Sequence, residues 1–140
     1  MIARPVTAQE TADLRRQVLR GGRPVALPGD EEPAYHVGVV TDEGVIATGN
    51  VRPEPPPWNP GAVGWRIRGM ATAEGHRGLG LGTRVLEALL AHCRSAGGGI
   101  VWCNARTPAR ALYERAGLQV IGDPWDDPEI GPHVRMWSQL

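Results

Sequence analysis

Lysine and phenylalanine are absent from this 140-residue chain, and tyrosine and cysteine occur only twice each. All fifteen basic residues are arginine, and fifteen Asp and Glu match them, so the formal net charge is zero. No basic block is present, so the electrostatic footprint of a nucleic-acid binder is missing. The richness in Arg, Ala, Gly and Pro reads as a coding bias rather than a function. Cys93 and Cys103 match neither a metal-ligand spacing nor a disulfide framework, which predicts buried reduced thiols and no metal. No apolar run is long enough to cross a bilayer, and MIARPVTAQE lacks the apolar core of a secretion signal. The expectation is a cytoplasmic protein with no membrane partner. The length suits one domain over residues 1–140, long enough for a real core and too short for two.

Nineteen glycines and thirteen prolines punctuate what is there. MIARPV reads as a strand. Thr7 and Glu10 stand at capping-box spacing, and Leu14 and Val18 recur one helical turn apart, so a helix follows. GGRPVALPGDEEP is turn-rich, and AYHVGVV, TDEG and VIATGNV together read as a hairpin. PEPPPWNPG then forbids regular structure, because proline offers no N–H to a ladder. WRIRGMAT is the next strand, and HRGLGLGT leads from it into a helix with Val85, Leu86, Leu89, Leu90 and Cys93 on one face. Gly97 to Gly99 end that helix, and IVWCNA reads as a buried strand. Thr107 with Pro108 has the signature of a cap and first-turn proline, and Gly117 closes the helix they open. LQVIG and HVRMWSQ are the last strands, with DPWDDPEIGP as a connection between them. The sum is a mixed α/β domain.

The glycine turn carries the chemistry. A helix N-terminus leaves backbone N–H groups unpaired and carries partial positive charge, so glycines there admit an anion, phosphate above all. A Walker loop needs Gly-Lys-Ser/Thr, which a lysine-free chain cannot supply. The Rossmann turn needs a third Gly or Ala where this chain has Thr83 or, in the other register, Val85. Arg77-Gly78-Leu79-Gly80-Leu81-Gly82 between a strand and a helix instead resembles the acyl-coenzyme A signature of the GNAT superfamily of N-acetyltransferases. RGMAT, IVWCNAR and ALYERAGLQVIG resemble further segments of that family in the right order, and LRRQVLRGGRP and GPHVRM resemble a small bacterial subgroup. A glycine-rich helix start with no ligand is the alternative.

The resemblance implies a mixed, mostly antiparallel sheet of about six to seven strands flanked by helices, with acetyl-CoA, the acyl donor, at a splayed central strand pair. It places Arg77, Gly78, Leu79, Gly80, Leu81, Gly82 and Thr83 on the pyrophosphate. It puts backbone groups of Met70, Ala71 and Thr72 against the thioester and pantetheine arm, and Asn104 against that arm or a nearby water. A turn-starting asparagine is the plainer reading of Asn104. The N–H of Met70 is the implied oxyanion donor, and Gly69 suits the bulge that would free it. Tyr113 is the implied general acid, against the alternative of an aromatic packed beside Leu112. For the base, Glu74, His76 and His133 lie in loops near the expected site; His133 comes first because an imidazole suits neutral pH.

The resemblance implies a primary amine on a small molecule or peptide as acceptor, with PEPPPWNPG and GDPWDDPEIGPH as the expected walls. Asp123, Asp126, Asp127 and Glu129 are candidates to attract its cation, with Trp58 or Trp125 packed on its apolar part; a solvated turn is the alternative. With no lysine, self-acetylation of an amine is confined to the α-amino group. The resemblance is also compatible with a homodimer, and a non-catalytic acyl-CoA sensor is the other functional reading.

Overall fold

The computed structural model describes residues 1–19 and 33–140. The turn-rich stretch GGRPVALPGDEEP lies outside them except for Pro33. Strand β1 (Ala3–Val6) leads through a 3-10 turn into α1 (Ala12–Leu19). The capping box closes that entry: Thr7 N–H donates to Glu10 Oε1 at 2.9 Å and Glu10 N–H to Thr7 Oγ1 at 3.1 Å. The Thr7 N–H bond holds the Glu10 carboxyl below its ordinary pKa. The hairpin is β2 (Tyr35–Thr41) and β3 (Gly44–Pro53), followed by the proline-rich connector and β4 (Gly64–Thr72). A 3-10 turn at Glu74–His76 and the glycine turn then open α2 (Leu81–Ser95). Next come β5 (Ile100–Arg106), α3 (Arg110–Arg115), β6 (Gln119–Val120), β7 (Trp125–Asp127) and β8 (Gly131–Gln139).

The strands form one eight-stranded sheet in the order β1-β2-β3-β4-β5-β8-β6, with β7 also on β8. All pairings are antiparallel except β4 with β5. Two expectations need correction. DPWDDPEIGP is not a mere connection, because Trp125, Asp126 and Asp127 pair with His133, Pro132 and Gly131, which raises the strand number to eight. Thr107 does not cap its helix: it is the first residue of a 3-10 turn whose cap position is Arg106, and no side chain caps it.

The core fills the α2 side of the sheet. Val85, Leu86, Leu89, Leu90 and Cys93 face Val37, Ala47, Val51, Ile67, Val101 and Cys103, as the periodicity of the helix requires. Both thiols are free and buried; burial pushes Cys93 up to about 11 and Cys103 up to about 12. α1 covers the opposite face. A Cβ on Gly49 would run into Met70 Sδ, Leu89 and Val85, whereas one on Gly69 would sit 3.4 Å from Arg15 Cδ. Neighbouring β3 residues Gly49 and Asn50 therefore look toward α2 and α1 respectively. The connector is anchored rather than loose: Pro56 is buried, Trp102 Nε1 donates to Glu54 O at 3.0 Å, and Gly64 is so close to Glu54 O that a Cβ would stand 2.6 Å from it.

Candidate active site

β4 and β5 are partners only at Gly64–Ile100, Trp65–Val101 and Arg66–Trp102. Both strands continue beyond that point, β4 to Thr72 and β5 to Arg106, without pairing with each other. The sheet therefore opens in its middle, and the open side is the end at which β4 runs into the glycine turn.

On β4 the opening is shaped by a bulge. Thr48 pairs with Ala71 and Asn50 with Arg68, so two residues of β4, Gly69 and Met70, stand opposite the single β3 residue Gly49, and neither has a β3 partner in this register. Gly69 has φ +64°, a backbone region that costs other residues about 1–2 kcal/mol. A distortion of the kind expected at Met70 is thus present, and the Met70 side chain is pinned against Gly49 under α2.

The helix start beyond it is bare. Gly80 occupies the cap position with φ 76°, no side chain caps it, and the first helical bond runs from Arg84 N–H to Gly80 O at 3.2 Å. The N–H groups of Leu81, Gly82 and Thr83 therefore have no intrahelical acceptor. Gly78 has φ 81°, and a Cβ added at Gly78 or Gly80 would have no neighbour within 4 Å, so open space lies above the amides. Arg77 and Leu79 are exposed, and Arg77 Nε donates to Thr72 O at 3.3 Å, tying the turn to the end of β4. Uncapped amides under open space at a positive helix end fit a diphosphate.

Tyr113 lies in the core cluster beneath α2, only 5% exposed. Burial, with a lesser contribution from Cys103, pushes its phenol far above its ordinary value, so it stays protonated throughout the working range. His133 is not in a loop as the sequence suggests. It is buried on β8 opposite Arg106, its Nδ1–H donates to Gly131 O at 2.8 Å, and Trp125 stacks on it at 5.4 Å. That bond leaves Nε2 as the nitrogen with the lone pair. His76 instead faces Glu43 at 3.1 Å, and Glu74 is exposed. Asn104 Oδ1 accepts from Arg135 Nε–H at 3.1 Å.

Asp127 Oδ1 accepts from the N–H groups of Glu129 and Ile130, which lower its pKa and commit it to the β7–β8 turn, while Asp123, Asp126 and Glu129 are exposed. Trp125 has Arg135 5.8 Å from its centroid, and Trp58 meets Trp102 and Trp137 edge-on. Arg66 and Arg135, which flank the Trp102 ring at 5.0 and 5.8 Å, were missed. Their signal was the alternation of Arg66 with Arg68 and of His133 with Arg135 and Trp137.

Residues 8–118 match the acetyltransferase (GNAT) family. The chain belongs to that family. It is an N-acetyltransferase with acetyl-CoA as its acyl donor. This GNAT chain is 30% identical over 139 residues to the uncharacterized N-acetyltransferase YitI of Bacillus subtilis, covering 96% of this chain and 93% of that one. Its fold is shared by an acyl-CoA N-acyltransferase from Pseudomonas aeruginosa, with TM-score 0.75, 17% identity, and 98% and 99% of the two chains covered. An aminoglycoside 6'-N-acetyltransferase complexed with coenzyme A has TM-score 0.76 and 14% identity, with 99% and 97% covered. Among the described residues no helix is long and apolar enough to cross a membrane.

Proposed function

We propose that residues 1–140 work as one cytoplasmic domain that moves the acetyl group directly from acetyl-CoA to a primary amine. The observation that carries this reading is the parting of β4 and β5 beside the uncapped start of α2. Arg77, Gly78, Leu79, Gly80, Leu81, Gly82 and Thr83 hold the pyrophosphate, and Met70, Ala71, Thr72 and Asn104 line the path of the arm. Acetyl-CoA supplies an activated thioester. Met70 N–H, freed by the bulge, stabilises charge developing on the carbonyl oxygen. His133 Nε2 takes the proton that the amine loses as its nitrogen bonds to the acetyl carbon. Tyr113 gives its proton to the thiolate released as the C–S bond breaks. The proton taken at His133 balances the one Tyr113 gives up, so a neutral amine yields one amide and one free thiol, and only an acceptor that arrives as its ammonium releases a further proton to solvent.

The state of the thiols supports direct transfer. A covalent acyl-enzyme on sulfur needs a thiolate, and both thiols are buried with pKa values pushed up to about 11 and about 12. Initial rates measured against both substrates are therefore expected to give intersecting double-reciprocal lines. Parallel lines, or acetylated protein after incubation with acetyl-CoA alone, would contradict the direct step. A homodimer would pair the sheet edges, β1 on one side or β6 and β7 on the other.

A further inference from the structure

The sheet face opposite α2 holds a cationic cluster at the opening of the splayed strands. Trp102, Asn104 and Arg106 alternate along β5 and share one face, as do His133, Arg135 and Trp137 along β8. The contacts of Trp102 with Arg66, Arg135 and Trp58 join them. Among the described residues, the carboxylate of Glu54 meets this cluster with Arg52 and Arg66 already sharing it at 2.6 and 3.3 Å, and Asp127 of β7 faces His133 while its Oδ1 is taken by the N–H groups of Glu129 and Ile130.

Arg135 and Arg106 are left without one. Arg135 uses Nε on Asn104, and its guanidinium lies 5.8 Å from the Trp102 and Trp125 rings, which fixes its position while its two Nη groups have no partner among the described residues. The Arg106 side chain makes no hydrogen bond or ion pair among them. Arg106 pairs with His133 and Asn104 with Arg135, so the two arginines are diagonal neighbours within reach of one small group. Both are half-buried, and both sit at or beyond the point where β5 leaves β4. Two like charges held together on a partly buried face call for an anion between them, and a guanidinium with its Nη edge free suits a carboxylate.

We infer that Arg106 and Arg135 clamp a carboxylate of the acceptor, so that this enzyme acetylates amines carrying their own carboxylate, amino-acid-like zwitterions, rather than polyamines. The inference rests on the acetyl-transfer reading above. A polycation brought to this face meets like charge, whereas a zwitterion anchors its carboxylate on the clamp and offers its amine near His133 and the strand opening.

The test compares α-amino acids with the amines left by their decarboxylation, with aminoalkyl phosphates and with spermidine, acetyl-CoA being saturating. The best amino acid is expected to exceed its decarboxylated partner at least about tenfold in kcat/KM, the loss expected when a charge-assisted pair goes. In Arg106→Gln and Arg135→Gln that ratio falls toward one while calorimetric affinity for acetyl-CoA stays at the wild-type value. A preference for spermidine, or for an aminoalkyl phosphate over its carboxylate analogue, overturns the carboxylate assignment. If Arg135→Gln does not fold, Arg106→Gln, which breaks no internal bond, carries the comparison. If no acceptor turns over, N-acetyl amino acids are titrated against tryptophan fluorescence, which Trp102 and Trp125 report from beside Arg135. A saturable change lost in Arg106→Gln supports the clamp, and no change in the wild type overturns it. Failure of the wild type to bind acetyl-CoA is a different result and sinks the acetyl-transfer reading itself.

Discussion

Tyr113→Phe is expected to lower kcat by about 10²-fold or more, with acetyl-CoA affinity unchanged, since a positioned general acid contributes about 10²–10⁴. The substitution removes one oxygen from a side chain that is otherwise packed in the core, so volume and fold are kept. A phenol whose pKa is raised so far looks at first like a poor acid. The apolar surroundings that hold it protonated act equally on a thiolate released there, as the neighbouring Cys103 shows by its rise to about 12. Donor and acceptor shift together, and transfer between them remains feasible. The defect should shrink with acetyl thioesters of more acidic thiols, whose leaving groups need no proton. A variant within threefold of wild type on acetyl-CoA would return Tyr113 to a purely packing role.

Gly69→Ala is expected to damage both stability and rate. Its φ of +64° costs an alanine about 1–2 kcal/mol, and the new Cβ would stand 2.9 Å from Asn50 Nδ2, closer than real Cβ atoms approach. A melting point lower by about 3–8 °C follows. On the proposed role of Met70 N–H as oxyanion donor the catalytic loss is larger, because relaxing the bulge would misalign that donor, and losing one such donor costs about 10²–10³ in kcat. Gly75→Ala is the control: its Cβ would meet nothing within 4 Å and its φ is not positive. Melting by calorimetry and single-turnover rates separate the two effects. If Gly69→Ala loses stability with kcat intact, the bulge shapes the strand but not the reaction.

Much of this was legible because it is local. The Thr7–Glu10 box, the buried face of α2 and the Gly69 bulge each depend on a few consecutive residues whose chemistry permits little else. β7 was not, since three residues between Pro124 and Pro128 acquire strand geometry only from β8. His133 was misplaced for the same reason, because the ladders to Arg106 and Trp125 that bury it are invisible before the sheet is assembled. The acidic residues invited a long-range reading, yet Asp127 had donors two and three residues away and took them. Alternating arginines in WRIRG and tryptophan and arginine in IVWCNAR were visible. That they converge with β8 on one face required the sheet order.

The central claim is that the glycine turn binds the donor, and titration calorimetry with acetyl-CoA tests it most directly, on the wild type and on Gly80→Ala. The account predicts one saturable site in the wild type, weakened about tenfold in Gly80→Ala by the cost of φ 76° for an alanine over otherwise open space. No heat of binding in the wild type, or equal affinity in the two proteins, would contradict it.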